Sequence, residues 1–477
     1  MNMIAHTRFQ FIRLIVGLCL LLPLGTSAQN VRVAHLKTER LTNPMGIDTP
    51  LPRLSWELES EQKNVTQEAY HILVASTPEL LAQDKGDLWD TGKVVSDESL
   101  NIPYAGKALK SDTRCYWKVK SYTSAGETAW SEPNSWSVGL LGEVHWKGRW
   151  IGWDQPSAGD REDAHSRLSA RYLRKEFDLK KPVKQATAYI CGLGMYELFI
   201  NGKRIGDQVL APLPSDYRKT IFYNTFDVTS LLSSKNAIGV TLGNGRYYTM
   251  QQHYRTYKIV NFGYPKLRFN LLITYQDGST ETIKSDTDWR ITTDGPIRSN
   301  NEYDGETYDA RKELGDWTLP GYDDSQWEPV QRVGAPGGTP RGMITPPMKV
   351  IKTIQPVQIY AKGNQYILDM GQNIAGWLRA SICGNEGDTI RLRFAETLTP
   401  EGDLYTANLR HAQSTDYYIC NGKENGKTWT PRFVYHGFRY VEISGYKDAK
   451  LSDFTGEVVS DDLEPIGTFE CSDETLN

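Results

Sequence analysis

Apolar and polar residues alternate along most of this chain. Tyr70-His71-Ile72-Leu73-Val74, Tyr116-Trp117-Lys118-Val119-Lys120-Ser121-Tyr122, Ala188-Tyr189-Ile190-Cys191, Tyr196-Glu197-Leu198-Phe199-Ile200 and Ile390-Arg391-Leu392-Arg393-Phe394 all repeat with period two. That period puts one set of side chains on each face of a strand. Between the runs stand turn dipeptides: Asn201-Gly202, Asn244-Gly245, Asp277-Gly278, Asp304-Gly305 and Asn421-Gly422. Asparagine, aspartate and glycine supply the left-handed backbone that a tight hairpin needs. No stretch of a dozen residues carries an apolar stripe at helical spacing, and Pro78 to Gln83 has room for one turn. The pattern predicts an all-β fold of three consecutive β-sandwich domains.

The first 28 residues read differently. His6, Arg8 and Arg13 precede an apolar run from Leu14 to Leu24, and Thr26-Ser27-Ala28 supplies small residues for a signal peptidase. Residues 1–28 are therefore expected to be a signal peptide cut after Ala28, and the mature chain to be exported, periplasmic or extracellular. No later segment has the length and hydrophobicity of a membrane span. Residues 29–141 have the rhythm of an immunoglobulin or fibronectin type III-like sandwich. A second unit covers 142–338, its edge marked by the flexible composition of Gly334-Ala335-Pro336-Gly337-Gly338-Thr339-Pro340. A third covers 339–462, and 463–477 form a tail in which Phe469, Cys471 and Leu476 could begin another packed element.

A formal net charge of −4 without a clustered basic stripe excludes a nucleic-acid partner. The 13 Trp and 26 Tyr serve sandwich cores, or flat platforms for sugar rings. Beyond Cys19, the five cysteines Cys115, Cys191, Cys383, Cys420 and Cys471 are odd in number and widely spaced. They read as buried thiols, with one Cys383–Cys420 bridge as the alternative.

Common chemistry motifs are missing: no H-E-x-x-H, G-x-S-x-G or EF-hand loop occurs. Gly192-Leu193-Gly194-Met195-Tyr196-Glu197 starts like a dinucleotide fingerprint but leads into a strand. Gly422-Lys423-Glu424-Asn425-Gly426-Lys427-Thr428 is one residue short of a P-loop and reads as a hairpin turn. His436, within Val434-Tyr435-His436-Gly437-Phe438, reads as a hydrogen-bonded core residue. The segment from Asn300 to Asp309 concentrates oxygen-bearing side chains. It suits a Ca²⁺ or sugar-hydroxyl site, and equally turns whose side chains bond their own backbone.

Several longer stretches together resemble the bacterial α-L-rhamnosidases of glycoside hydrolase family 78. They are Leu41-Thr42-Asn43-Pro44-Met45-Gly46-Ile47-Asp48, Gly206-Asp207-Gln208-Val209-Leu210-Ala211-Pro212, Tyr303-Asp304-Gly305-Glu306-Thr307-Tyr308-Asp309, Asp369-Met370-Gly371-Gln372-Asn373, and Pro431-Arg432-Phe433-Val434-Tyr435-His436-Gly437-Phe438-Arg439-Tyr440. The resemblance implies a fibronectin-like domain, a jelly roll and a further β-sandwich, followed in the family by a catalytic (α/α)6 barrel. The family's catalytic carboxylates sit in a barrel motif beginning Asp-Cys-Pro-Gln-Arg, which this sequence lacks. No catalytic residue is therefore expected here, and the last residues look like a lead-in to the barrel. In members whose jelly roll binds rhamnose through Ca²⁺, the resemblance points to Asn201, Asp216 and Asn244 as oxygen ligands, with Asp304 and Glu306 as an alternative cluster. Tyr247 and Tyr248 would stack on the sugar. Leu213, Pro214 and Arg246 depart from the family pattern, since some members carry Gly-Trp where Leu213-Pro214 stands and many carry Trp where Arg246 stands. The implied partner is a rhamnose-containing glycan. The chain would be the accessory part of the enzyme, itself inactive, or alternatively a stand-alone carbohydrate-binding protein or a structural string of sandwiches.

Overall fold

The computed structural model describes residues 31–161, 168–249 and 261–477. The expected signal peptide lies outside the described residues.

In the first unit, strands Val31–Thr38, Arg53–Ser60 and Ile102–Pro103 form one sheet, and Gln67–Ala75 and Arg114–Thr123 are the long strands of the sheet facing it. Trp56, Ile72, Val74, Trp117 and Trp136 fill the space between them. Two of the buried indoles keep a partner, since Trp56 Nε1 donates to Gln67 Oε1 (3.0 Å) and Trp117 Nε1 to Asn134 Oδ1 (3.3 Å). That satisfaction lets so large a side chain be buried without an orphan donor. The single helical turn expected from the sequence is Pro78–Ala82. Thr77 Oγ1 accepts the Leu80 N–H at 3.3 Å, and Pro78 occupies the first turn, where its missing N–H costs nothing.

The second unit is a sandwich of two sheets. One is built around Val183–Leu193, Lys266–Tyr275 and Thr220–Asp227, the other around Met195–Ile200, Lys235–Gly243 and Arg171–Asp178. Leu173, Ile190, Leu198, Val240, Phe269 and Trp289 meet in the core. In Lys235–Gly243 every residue after the first is buried, because both faces of this central strand are covered. The outer face of the first sheet packs on the first unit, where Tyr189 Oη donates to Asp112 Oδ1 (2.8 Å) and the Leu140 N–H donates to Tyr223 Oη (2.9 Å). The segment expected to be a flexible linker is partly fixed. Gly338 and Thr339 donate to the carbonyls of Tyr217 and Lys219 at 3.0 Å, and Thr339–Gly342 pairs in parallel with Thr220–Asp227. Paired backbone groups outweigh the loop-like composition.

The third unit is built on a ten-stranded sheet. Its longest strand, Gln365–Ile382, has a bulge between Asp369 and Ile374, and it pairs with His436–Ser444 on one side and Phe454–Asp461 on the other. Such a bulge bends and twists a strand, and Leu378, Ile390, Leu392, Phe394, Phe438 and Val441 pack together in the core. His436 is a core residue as expected, with Nε2 3.1 Å from Asp416 and its ring stacked on Phe394 at 4.1 Å.

Two strands of this third sheet come from the stretch placed by sequence in 142–338. Ile297–Asn301 and Gly305–Asp309 form a hairpin, and its second strand runs parallel to Thr415–Ile419. The chain then returns to the second unit at Glu328–Pro329 and Gln331–Arg332. The hairpin is locked in place by Glu306, whose Oε2 accepts the backbone N–H groups of Arg432 (3.0 Å) and Phe433 (3.3 Å). Beside it Gly243 faces Phe433 so closely that a Cβ would lie 2.3 Å from the ring.

All five described cysteines are free. Cys115, Cys191 and Cys420 are buried, whereas Cys383 is exposed and Cys471 half-buried, so burial accounts for three of them and there is no Cys383–Cys420 bridge. Residues after Asp461 form neither strand nor helix; Leu463, Ile466, Phe469 and Leu476 are exposed, and Glu464 pairs with Lys37 of the first unit. Among the described residues Pro78–Ala82 is the sole α-helix, and there is no (α/α)6 barrel.

Candidate functional site

A cleft of ≈ 600 Å³ opens where the second unit, the borrowed hairpin and the third unit meet. Asp216, Tyr217 and Arg218 come from one loop of the second unit and Arg246 from another. Glu302 and Tyr303 are at the hairpin tip, and Tyr435 belongs to the third unit.

Local chemistry fixes each wall. Asp216 shapes its own loop, its Oδ1 accepting the Arg218 N–H (3.2 Å) and its carbonyl accepting from Thr220 (2.9 Å), an Asx-type turn. Arg246 follows the buried Asn244, whose backbone N–H donates to Asn300 Oδ1 (2.7 Å) and whose Nδ2 donates to the carbonyls of Asn300 (2.8 Å) and Leu168 (3.0 Å). A Cβ on Gly194 would sit 1.9 Å from the Asn244 carbonyl, so only glycine lets these two backbones touch. The hairpin tip is stitched to the third unit, because Ser414 and Thr415 donate to the carbonyls of Tyr303 (3.0 Å) and Asp304 (2.9 Å). Gly305, at φ 106°, turns the chain there.

Two carboxylates face this cleft in unlike surroundings. Asp216 is half-buried, and the Arg218 guanidinium (Nε to Oδ1, 3.0 Å) holds its carboxyl pKa below the usual carboxylate range. The Glu302 side chain is only 9% exposed. Burial pushes its pKa up, and the charge of Arg246, with Nε 2.5 Å from Oε2, pulls the other way. Perturbed acids in a cleft are a mark of functional sites.

The sequence-based candidates are only partly gathered here. Asp216 lines the cleft. Tyr247 and Tyr248 do not offer a ring to solvent: they are 1% and 2% exposed, Tyr247 packing edge-on to Tyr217 (5.1 Å) and Tyr248 stacking on Tyr264 (5.4 Å). They turn inward because residues 244–249 carry them into the unit's own aromatic cluster, Tyr247 beside Tyr217 and Phe262. The rings at the cleft are instead those of Tyr217, Phe262, Tyr303 and Tyr435. Asn201 is a hairpin residue at φ 51°, with Oδ1 accepting from Ala237 (2.8 Å) and Nδ2 donating to Leu231 and Asn236. Asp304 Oδ1 accepts from Gln413 (3.1 Å). Of the calcium candidates, Asn244 Oδ1 and Glu306 Oε1 are buried acceptors without a partner among the described residues. Calcium takes six to eight oxygens, and the described residues hold no group of three His, Cys, Asp or Glu able to bind a metal. Neither Asn201, Asp216 and Asn244 nor the alternative pair Asp304 and Glu306 forms such a group. Glu302 and Tyr303 lie inside the oxygen-rich segment that drew attention in the sequence, but that segment's two neighbouring carboxylates were preferred there; Tyr435 and Phe262 gave no signal of their own.

Three sandwich units with a cleft at an interlocked junction define a multi-domain all-β protein. Residues 33–142 match the Rha78A-like N-terminal immunoglobulin domain, 181–352 the α-L-rhamnosidase N-terminal domain and 359–460 the bacterial α-L-rhamnosidase concanavalin-like domain. The chain carries the N-terminal domains of the bacterial α-L-rhamnosidases. An α-L-rhamnosidase of Formosa agariphila is 37% identical over 463 residues, covering 91% of this chain and 48% of the relative. One from an Alteromonas species is 32% identical, with coverages of 94% and 49%. Among solved structures, the α-L-rhamnosidase from Dictyoglumus thermophilum superposes with a TM-score of 0.86 at 40% identity, covering 94% of this chain and 51% of that one. The Streptomyces avermitilis α-L-rhamnosidase complexed with L-rhamnose gives 0.82 at 28% identity, with coverages of 91% and 57%. The chain thus spans about half the length of the curated relatives it matches.

Proposed function

We propose that this chain is the accessory N-terminal part of an exported α-L-rhamnosidase, that it does not itself hydrolyse α-L-rhamnosides, and that it contacts rhamnose-containing glycans at the junction cleft. The extent of the match carries the reading: nearly all of this chain aligns with about half of each rhamnosidase. The cleft supports a binding role. Glycoside hydrolysis needs one carboxylic acid to protonate the departing oxygen and a second carboxylate to act as base or nucleophile. Asp216 and Glu302 have acidities pushed apart, as such pairs do, yet each is clamped by its own arginine. Glu302 is tied to Arg246 and a general acid must reach the leaving oxygen, so the pair suits holding hydroxyls more than moving protons.

The purified chain should give no turnover of p-nitrophenyl α-L-rhamnoside above buffer; activity that follows the protein peak through repurification would defeat the reading. Calorimetry with L-rhamnose should show a dissociation constant of about 0.1 to 1 mM, the scale expected of one small sugar. The same titration with added calcium and then chelator tests for a metal, and heat lost only with chelator would mean the fit above is wrong. Export is tested by sequencing the N-terminus of protein recovered outside the cytoplasm, which should begin at Gln29.

A further inference from the structure

We infer that the junction cleft selects glycans carrying an anionic substituent, a uronate carboxylate or a sulfate ester. This rests on reading the cleft as a sugar site, and goes beyond it by naming the charge of the sugar. Two guanidiniums line the cleft in the same arrangement. Arg218 lies over the Phe262 ring at 5.8 Å with Nε on Asp216, and Arg246 lies over the Tyr303 ring at 5.7 Å with Nε on Glu302. In each, one edge is held by a carboxylate and one face by an aromatic ring. The side chains nonetheless remain 65% and 45% exposed, so donors of each fork are left for solvent or a ligand.

Such double restraint is what an oxyanion site needs. A guanidinium fork matches two oxygens of a carboxylate or sulfate in one plane, and a fork already fixed loses little freedom on binding. A neutral hydroxyl takes a single hydrogen bond from such a group, whereas an oxyanion gains a paired fork and the neutralisation of its charge. Among the described residues the lining sets Arg218 and Arg246 against Asp216 and Glu302, and Lys219, 81% exposed and next to Arg218 in the chain, adds a positive charge outside the lining. The rings of Tyr303 and Tyr435 complete the wall, offering apolar surface to the carbon face of a sugar.

The test is calorimetry at low salt on the full chain with three probes: methyl α-L-rhamnoside, a rhamnose disaccharide bearing D-glucuronate, and a sulfated methyl α-L-rhamnoside. At least one acidic probe should bind about tenfold more tightly than the neutral one, the worth of one charge-assisted contact, and the ratio should shrink as salt screens it. The glucuronate and sulfate arms show which anion the cleft accepts. Arg218→Gln and Arg246→Gln should each reduce the acidic-to-neutral ratio. Arg218 is the more exposed, so its variant keeps the test usable if Arg246→Gln fails to fold. Equal affinity for all three probes, or a ratio that neither substitution changes, overturns the inference and leaves the sugar reading standing. No heat from any probe at millimolar concentration overturns both.

Discussion

Glu306 Oε2 accepts the Arg432 backbone N–H at 3.0 Å, joining a strand that leaves the second unit to a segment of the third. The same side chain is fully buried, and its Oε1 has no partner among the described residues. Burial pushes the carboxyl up to about 8, the neighbouring Asp416 adding to the effect and the two backbone donors opposing it. The folded state therefore keeps a proton that the unfolded chain releases near 4.5. Folded stability from this group falls as pH rises from about 4.5 to about 8 and is level beyond. Glu306→Gln stays neutral at every pH, so it should match the parent near pH 5 and exceed it at pH 8. The gain, on the order of a few kcal/mol at most, follows from the size of the shift. Urea unfolding at the two pH values checks it; an identical pH slope in both proteins would refute it.

Gly243 and Phe433 form a second fastening at the same junction. A Cβ placed 2.3 Å from the ring atom Cγ forces the rigid ring or a strand to move. Gly243→Ala should cost about 1–3 kcal/mol as overpacking, and Phe433→Ala about 3–5 kcal/mol as a cavity. The double variant should cost less than the sum, because each change makes room for the other. Strict additivity in denaturant titrations would show that the two do not touch.

Tyr247 is packed with Tyr217 and Phe262, so its loss is a matter of folding. Tyr247→Ala should lower stability by about 3–5 kcal/mol. Thermal unfolding measures this, and a midpoint unchanged from the parent would place the ring outside the core.

Thiol reactivity should separate the cysteines. Burial pushes Cys115 up to about 12 and Cys191 higher still, whereas Cys383 is exposed. Only the thiolate is nucleophilic. In the folded protein Cys383 and then Cys471 should react with a chromogenic disulfide, with Cys115, Cys191 and Cys420 following only in denaturant. Rapid labelling of Cys115 or Cys191, read by peptide mapping, would contradict their placement.

The all-β architecture was legible because period-two alternation is a local property, visible in any window such as Tyr70 to Val74. The borrowed hairpin was not. Gly305–Asp309 has the alternation of a strand, but Thr307 finds its partner at Tyr417, and nothing local names a partner that far along the chain. The inward turn of Tyr247 and Tyr248 was hidden for a related reason, since a loop residue has no periodic face to betray its direction. At the site, the oxygen-rich segment 300–309 drew attention, but Glu302 within it was not singled out. Glu306 projects into the junction while Glu302, at the turn, faces the cleft, and composition does not distinguish them.

The hairpin that leaves the second unit, completes the third unit's sheet and returns also constrains how genes for such proteins can be reshuffled. A crossover near position 142 separates the first unit along a boundary that only side chains and a few loop bonds bridge. A crossover anywhere from the hairpin to residue 342 would hand one offspring a sheet without its edge strands and the other a hairpin without a sheet. Recombination that keeps both sheets whole should therefore move residues from about 143 to 461 as a single cassette, and should exchange the first unit alone more readily.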